Sequence, residues 1–292
     1  MSEKEGYTRE DYFTASDEVV DSIKAEYSSV SPEIQKFVDD IATGIKKYII
    51  EGYGEHISKE MRTNLETSDK RIILVDGEDF NKLNEDWKPD NKYEVPEASA
   101  CFTYLGNMVI MRDMVERAQV AWEHNTEFAK TVPENLKSTV LSYIRFSMIT
   151  STLVHELVHS CEADAGETQH KYSVIRWALD ECGSCYITDR IIKEKYPKAI
   201  SLVGEYEPDR ALMFNYLVGK YGEEVYDVYF SNVPKGAVEK ARYEELEKNI
   251  YSEFNTKKIV QLGILTSDQA VEYDRMVDRV TSSQVSNYSP QH

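Results

Sequence analysis

The sequence predicts a predominantly helical α+β protein, and three observations carry that prediction. Apolar residues recur at helical spacing through most of the chain, for example at Ile34, Phe37, Val38, Ile41, Ile45, Tyr48 and Ile49. Strand-like runs are confined to one stretch near residue 73 and one hairpin near residue 106. Apolar content is 41%, with 13 glycines and 8 prolines in 292 residues, which favours a packed globule over a disordered chain. There are no internal repeats. The pattern divides into a helical N-terminal cover (1–66), a core subdomain with the small sheet (67–200) and a helical C-terminal subdomain (201–292), all in one compact unit.

In chain order, a first helix is expected after Ser16, with Val19, Val20, Ile23 and Tyr27 on one face. Ser31 as N-cap and Pro32 at the first helical position open a second, which Gly52-Tyr53-Gly54 closes. Arg71 to Gly77 reads as a buried strand with a turn after it. Asn81 to Pro96 is polar and irregular, a surface connection. Ala98 to Tyr104 and Met108 to Met111 form a hairpin around Gly106-Asn107. Met114 to Lys130 reads as one helix, whose His124 is a surface residue. Pro133 opens a long helix that ends between Cys161 and Gly166. A further helix runs to about Lys195, where Pro197 stops it. Helical segments follow at Arg210–Gly222, Glu223–Phe230, Ala237–Phe254 and Asp268–Val280.

Charge and cysteine usage exclude several classes. The 34 basic and 52 acidic residues leave a net charge of −18, which argues against nucleic acid and anionic membrane surfaces and suits a neutral or basic peptide. No apolar run approaches the ~18 residues of a membrane span. The polar start lacks a signal-like pattern, so the chain as written reads as cytoplasmic; a secreted protein relieved of its signal peptide would read the same. The four cysteines are too few for a disulfide framework. Cys182 and Cys185 form a C-x-x-C that is either a pair of small core residues or a redox or metal pair, and the lack of a second pair favours the core.

The chemistry concentrates in His155-Glu156-Leu157-Val158-His159, which reads H-E-x-x-H. Residues four apart share one helix face, so both imidazoles can address one metal ion while Glu156 projects beside them. Leu153, Val154, Leu157 and Val158 make the surrounding helix apolar, and a buried segment with two His and one Glu needs polar partners. A catalytic zinc usually has three protein ligands and one open position. The candidate third ligand is Glu181, 22 residues past His159, because it interrupts an inward stripe of Val174, Ala178 and Cys185. Gly and His are absent from the positions three and six after His159 (Glu162 and Ala165), which excludes the metzincin pattern.

This arrangement resembles the gluzincin branch of zinc metallopeptidases, in which a Glu on the next helix completes the site, often in a D-E-G-x-A-x-Y-like segment. Here the counterpart reads Asp180-Glu181-Cys182-Gly183-Ser184-Cys185-Tyr186, and the resemblance covers roughly residues 98 to 230. It implies a zincin-like core in residues 67–200, one Zn²⁺ per chain held by His155, His159 and Glu181, and Glu156 as the catalytic base for a metal-bound water. It also implies that the hairpin pairs with an extended peptide; an ordinary core hairpin would look the same in sequence. Cys185 stands where thermolysin-like members often carry an acidic residue that orients a ligand histidine, which leaves Asp180, Asp189 and Glu162 as candidates for that role. His170, Tyr172 and Tyr206 are candidate hydrogen-bond donors to a developing oxyanion.

The expected activity is zinc-dependent peptide hydrolysis, and the absence of a G-x-M-E-N-like segment favours an endopeptidase. The alternative is a catalytically silent zinc-binding regulatory protein of the same fold. Retention of Glu156 speaks against it, since a purely structural site has no use for the base.

Overall fold

The computed structural model describes residues 31–67, 72–80, 101–104, 108–159, 173–201 and 207–271, together with the isolated residues 21, 25, 273 and 275. The helix expected after Ser16, the connection at Asn81–Pro96 and the turn of the hairpin lie outside them, apart from Asp21 and Ala25, which are helical.

Helix α1 (Pro32–Tyr53) starts as its sequence dictates, with the Ser31 hydroxyl accepting from Ile34 N at 3.4 Å. Its face of Val38, Ala42, Ile45 and Ile49 is wholly buried. A short polar helix, α2 (Lys59–Thr67), was not anticipated; Leu65 is its buried anchor. Strand β1 (Ile72–Val75) is buried along its whole length, and residues 77–80 then turn into a single helical turn capped by the Asp76 carboxylate. Strands β2 (Cys101–Tyr104) and β3 (Met108–Arg112) pair antiparallel, with Tyr104 opposite Met108, as the hairpin reading expects. β1 joins β3 in parallel, giving a mixed three-stranded sheet of order β1-β3-β2.

The expected helix at Met114–Lys130 is two helices, α3 (Val115–His124) and α4 (Thr126–Thr131). Asn125 breaks them: its side chain accepts from Phe128 N and caps the second, a better use of a short polar side chain than a helix interior. His124 is exposed and bonded to Val120 O at 2.9 Å. A 3₁₀ turn (Glu134–Leu136) leads into α5 (Lys137–His159). From Ser147 to Val154 every residue of α5 is buried, so this helix runs through the middle of the molecule, between α1 and α6. Arg145 Nε donates to Asp113 O at 2.9 Å and fastens α5 to the end of β3.

Helix α6 (Ser173–Lys195) packs on α5 and against α7 (Pro208–Tyr221), and α8 (Glu224–Tyr229), α9 (Ala237–Ser252) and α10 (Thr256–Gln261) complete the C-terminal part, with residues 267–271 also helical. A single buried apolar cluster runs from Val38 to Tyr273 through every layer. No helix among the described residues is long and apolar enough to cross a membrane.

Gly183, inside α6, is required by a close approach. A Cβ there would lie 2.2 Å from the Tyr229 ring and 2.9 Å from Phe214, both fully buried. Alanine gains about 1 kcal/mol of helix propensity, but the overpacking costs about 1–3 kcal/mol or more because neither ring has room to retreat. Gly183→Ala should therefore lower the midpoint of urea unfolding; a stabilised variant would contradict this packing.

Candidate metal centre

The two helices that carry the H-E-x-x-H segment and Glu181 meet where α5 emerges from the core. His155, Glu156 and His159 occupy its last turns and are half-buried, below a band of fully buried residues. The negative end of the helix dipole there favours a positive charge. The histidine Nε2 atoms lie 2.9 Å apart, with the rings nearly perpendicular. From α6, Glu181 places Oε2 at 3.9 Å from His155 Nε2 and Oε1 at 3.8 Å from His159 Nε2.

These three side chains could hold an ion. The carboxylate stands too far from the imidazoles for a hydrogen bond. A tetrahedral Zn²⁺ with bonds of about 2.0–2.1 Å holds its ligand atoms roughly 3.3 Å apart. Nitrogen and oxygen donors are the types zinc takes in catalytic sites.

Each carboxylate oxygen of Glu181 also has a donor: Trp177 Nε1 reaches Oε1 at 3.1 Å and Arg210 Nη1 reaches Oε2 at 3.0 Å. Burial pushes the Glu181 carboxyl up, but His159, His155, Arg210 and the indole together hold it below the ordinary carboxylate range. Arg210 stays charged because the carboxylates of Glu207 and Glu181 outweigh its burial.

Ser184 is a partner of His159, at Nδ1. Its Oγ lies 3.1 Å from His159 Nδ1 and 2.8 Å from the Tyr229 hydroxyl, and Ser184 is fully buried. Were Nε2 to face an ion, Nδ1 would carry the proton and donate to Ser184 Oγ. Two residues weighed for that role are engaged elsewhere: Asp180 pairs with Arg176 at 2.7 Å, and Asp189 takes Lys193 and Ser201. Glu162, His170, Tyr172 and Tyr206 lie outside the described residues. Were the site to take zinc, Ser184→Ala would weaken its binding about 10- to 100-fold, the usual cost of losing such a partner, in competition with a chromophoric chelator. An unchanged affinity would remove Ser184 from the site.

No family model matches the chain, and no curated protein or solved structure matches it significantly. Function has to be read from the centre itself.

Cys182 and Cys185 are both free and fully buried. Burial pushes both thiols well up, helped at Cys185 by the charges of Glu207 and Glu181, so neither is poised as a thiolate. Cys182 belongs to the apolar core, while Cys185 donates to Glu207 Oε2 at 3.3 Å. Sequence reasoning missed Ser184, Arg210 and Tyr229. Ser184 reads as a small core residue between two cysteines, and its partner is 45 positions away.

Proposed function

We propose that this chain is a zinc-dependent peptidase of the gluzincin type, with endopeptidase action favoured. The observation that carries the reading is the convergence of His155, His159 and Glu181 from two helices at separations suited to one ion. His155 and His159 would hold the zinc through Nε2 and Glu181 through a carboxylate oxygen, within a core of zincin-like design. When bound, zinc polarises the scissile carbonyl and brings the pKa of water towards about 7. Glu156, on the same turns of α5, takes the proton of the attacking water and delivers it to the leaving amine. Ser184 fixes the ring orientation of His159.

Strand β2 supports a peptide substrate. It packs against α5, and among the described residues it pairs with β3 on one side only, leaving an edge for an extended chain to join by main-chain hydrogen bonds. The net charge of −18 suits neutral or basic peptides.

A second reading, a zinc-binding regulatory protein without turnover, draws support from the guanidinium already seated on Glu181. Incubation of the zinc-loaded protein with a diverse peptide library, read by mass spectrometry, separates the two. Defined cleavage products absent from the metal-free protein are expected; no products under either condition would favour the second reading.

A further inference from the structure

Arg210, in the first turn of α7, has all three guanidinium nitrogens engaged. Nε donates to Leu262 O at 3.0 Å and Nη2 to Gly263 O at 3.3 Å. Nη1 faces two carboxylates at once, Glu181 Oε2 at 3.0 Å and Glu207 Oε1 at 2.8 Å. Ligand atoms of Glu181, Cys185 and Glu207 lie within 4.8 Å of one another, so a second donor set adjoins the first and shares Glu181 with it. Glu181 links the two sets, so a zinc ion on the first would have Glu207 and Cys185 as candidates to close its coordination sphere, as structural sites do.

We propose that Arg210 is a positioning residue that keeps the fourth coordination position of the metal open by holding Glu207 and one oxygen of Glu181. This rests on the zinc-site reading above. Oε2 faces a full positive charge, whereas Oε1 faces only the neutral indole of Trp177, so Oε1 is the better metal donor. Partners that accept from a ligand raise its basicity; a guanidinium that donates to one lowers it. Removing the cation should therefore tighten metal binding and raise the coordination number, through Glu181 Oε2 or through Glu207. A merely structural role predicts the reverse, since loosening the turn at Leu262–Gly263 would disorganise the site and weaken binding.

Co²⁺ is the probe, because its visible ligand-field band loses intensity as four-coordination gives way to five. Metal-free wild type and Arg210→Gln are titrated with Co²⁺, and affinity is measured against a chromophoric chelator. Wild type is expected to take up one Co²⁺ with an intense band. Arg210→Gln is expected to bind it more tightly than wild type, with a weaker band. A folded Arg210→Gln with an unchanged band, or with equal or weaker binding, overturns the proposal while leaving the zinc site standing. A wild type that takes up no Co²⁺ overturns both. Should Arg210→Gln not fold, Arg210→Lys decides. A single ammonium cannot hold both carboxylates and both carbonyls, so the same changes are expected at smaller size, and their absence overturns the proposal.

Discussion

Replacing Glu156 by glutamine is expected to leave bound zinc unchanged and to lower peptide cleavage by about 100- to 10,000-fold, the usual contribution of a positioned general base. The substitution is nearly isosteric, and Glu156 is only half-buried at the end of α5. His155, His159 and Glu181 keep their positions, so metal stoichiometry by atomic absorption should match wild type. On the proposed mechanism, what disappears is the acceptor for the proton of water. Full cleavage with full metal content would remove Glu156 from the mechanism; loss of metal would make it a ligand instead.

Glu181→Ala has the second large effect, and it falls on metal retention. Loss of a partner of a ligand costs about 10- to 100-fold in affinity, so loss of a ligand should exceed that, and zinc should be stripped by dialysis that leaves wild type loaded. Stability should fall as well. Glu181 accepts from both Trp177 and Arg210, with about 18% of its side chain exposed. Deleting it orphans the indole and one contact of the guanidinium, at about 1–3 kcal/mol. Arg210 retains Glu207, which limits the damage. A melting curve of the metal-free variant separates this loss from the loss of zinc. Unchanged stoichiometry after dialysis would point to a different third ligand.

The parts of the fold that local chemistry specifies were legible in the sequence. Ser31-Pro32 marks the start of α1 and Pro197 the end of α6, because capping and the missing proline N–H act within one turn. The convergence of Glu181 with His155 and His159 was legible too, since a carboxylate on an apolar stripe demands a partner. The break at Asn125 was available as a capping signal but was outweighed by the apolar spacing on either side. The parallel pairing of β1 with β3 and the groups around Glu181 were not available. Ser184 meets Tyr229, and Arg210 meets Leu262 and Gly263, only because tertiary packing brings distant segments together. No local rule encodes those meetings.

The two helices that carry His155, His159 and Glu181 cannot be treated as a portable cassette. Transplanted onto another scaffold, they would bring all three side chains with them. The Tyr229 ring that fills the notch at Gly183 and steadies Ser184 would be missing, and so would the anchor that restrains Glu181 from the turn at Leu262–Gly263. A minimal version of this site has to reach past residue 263.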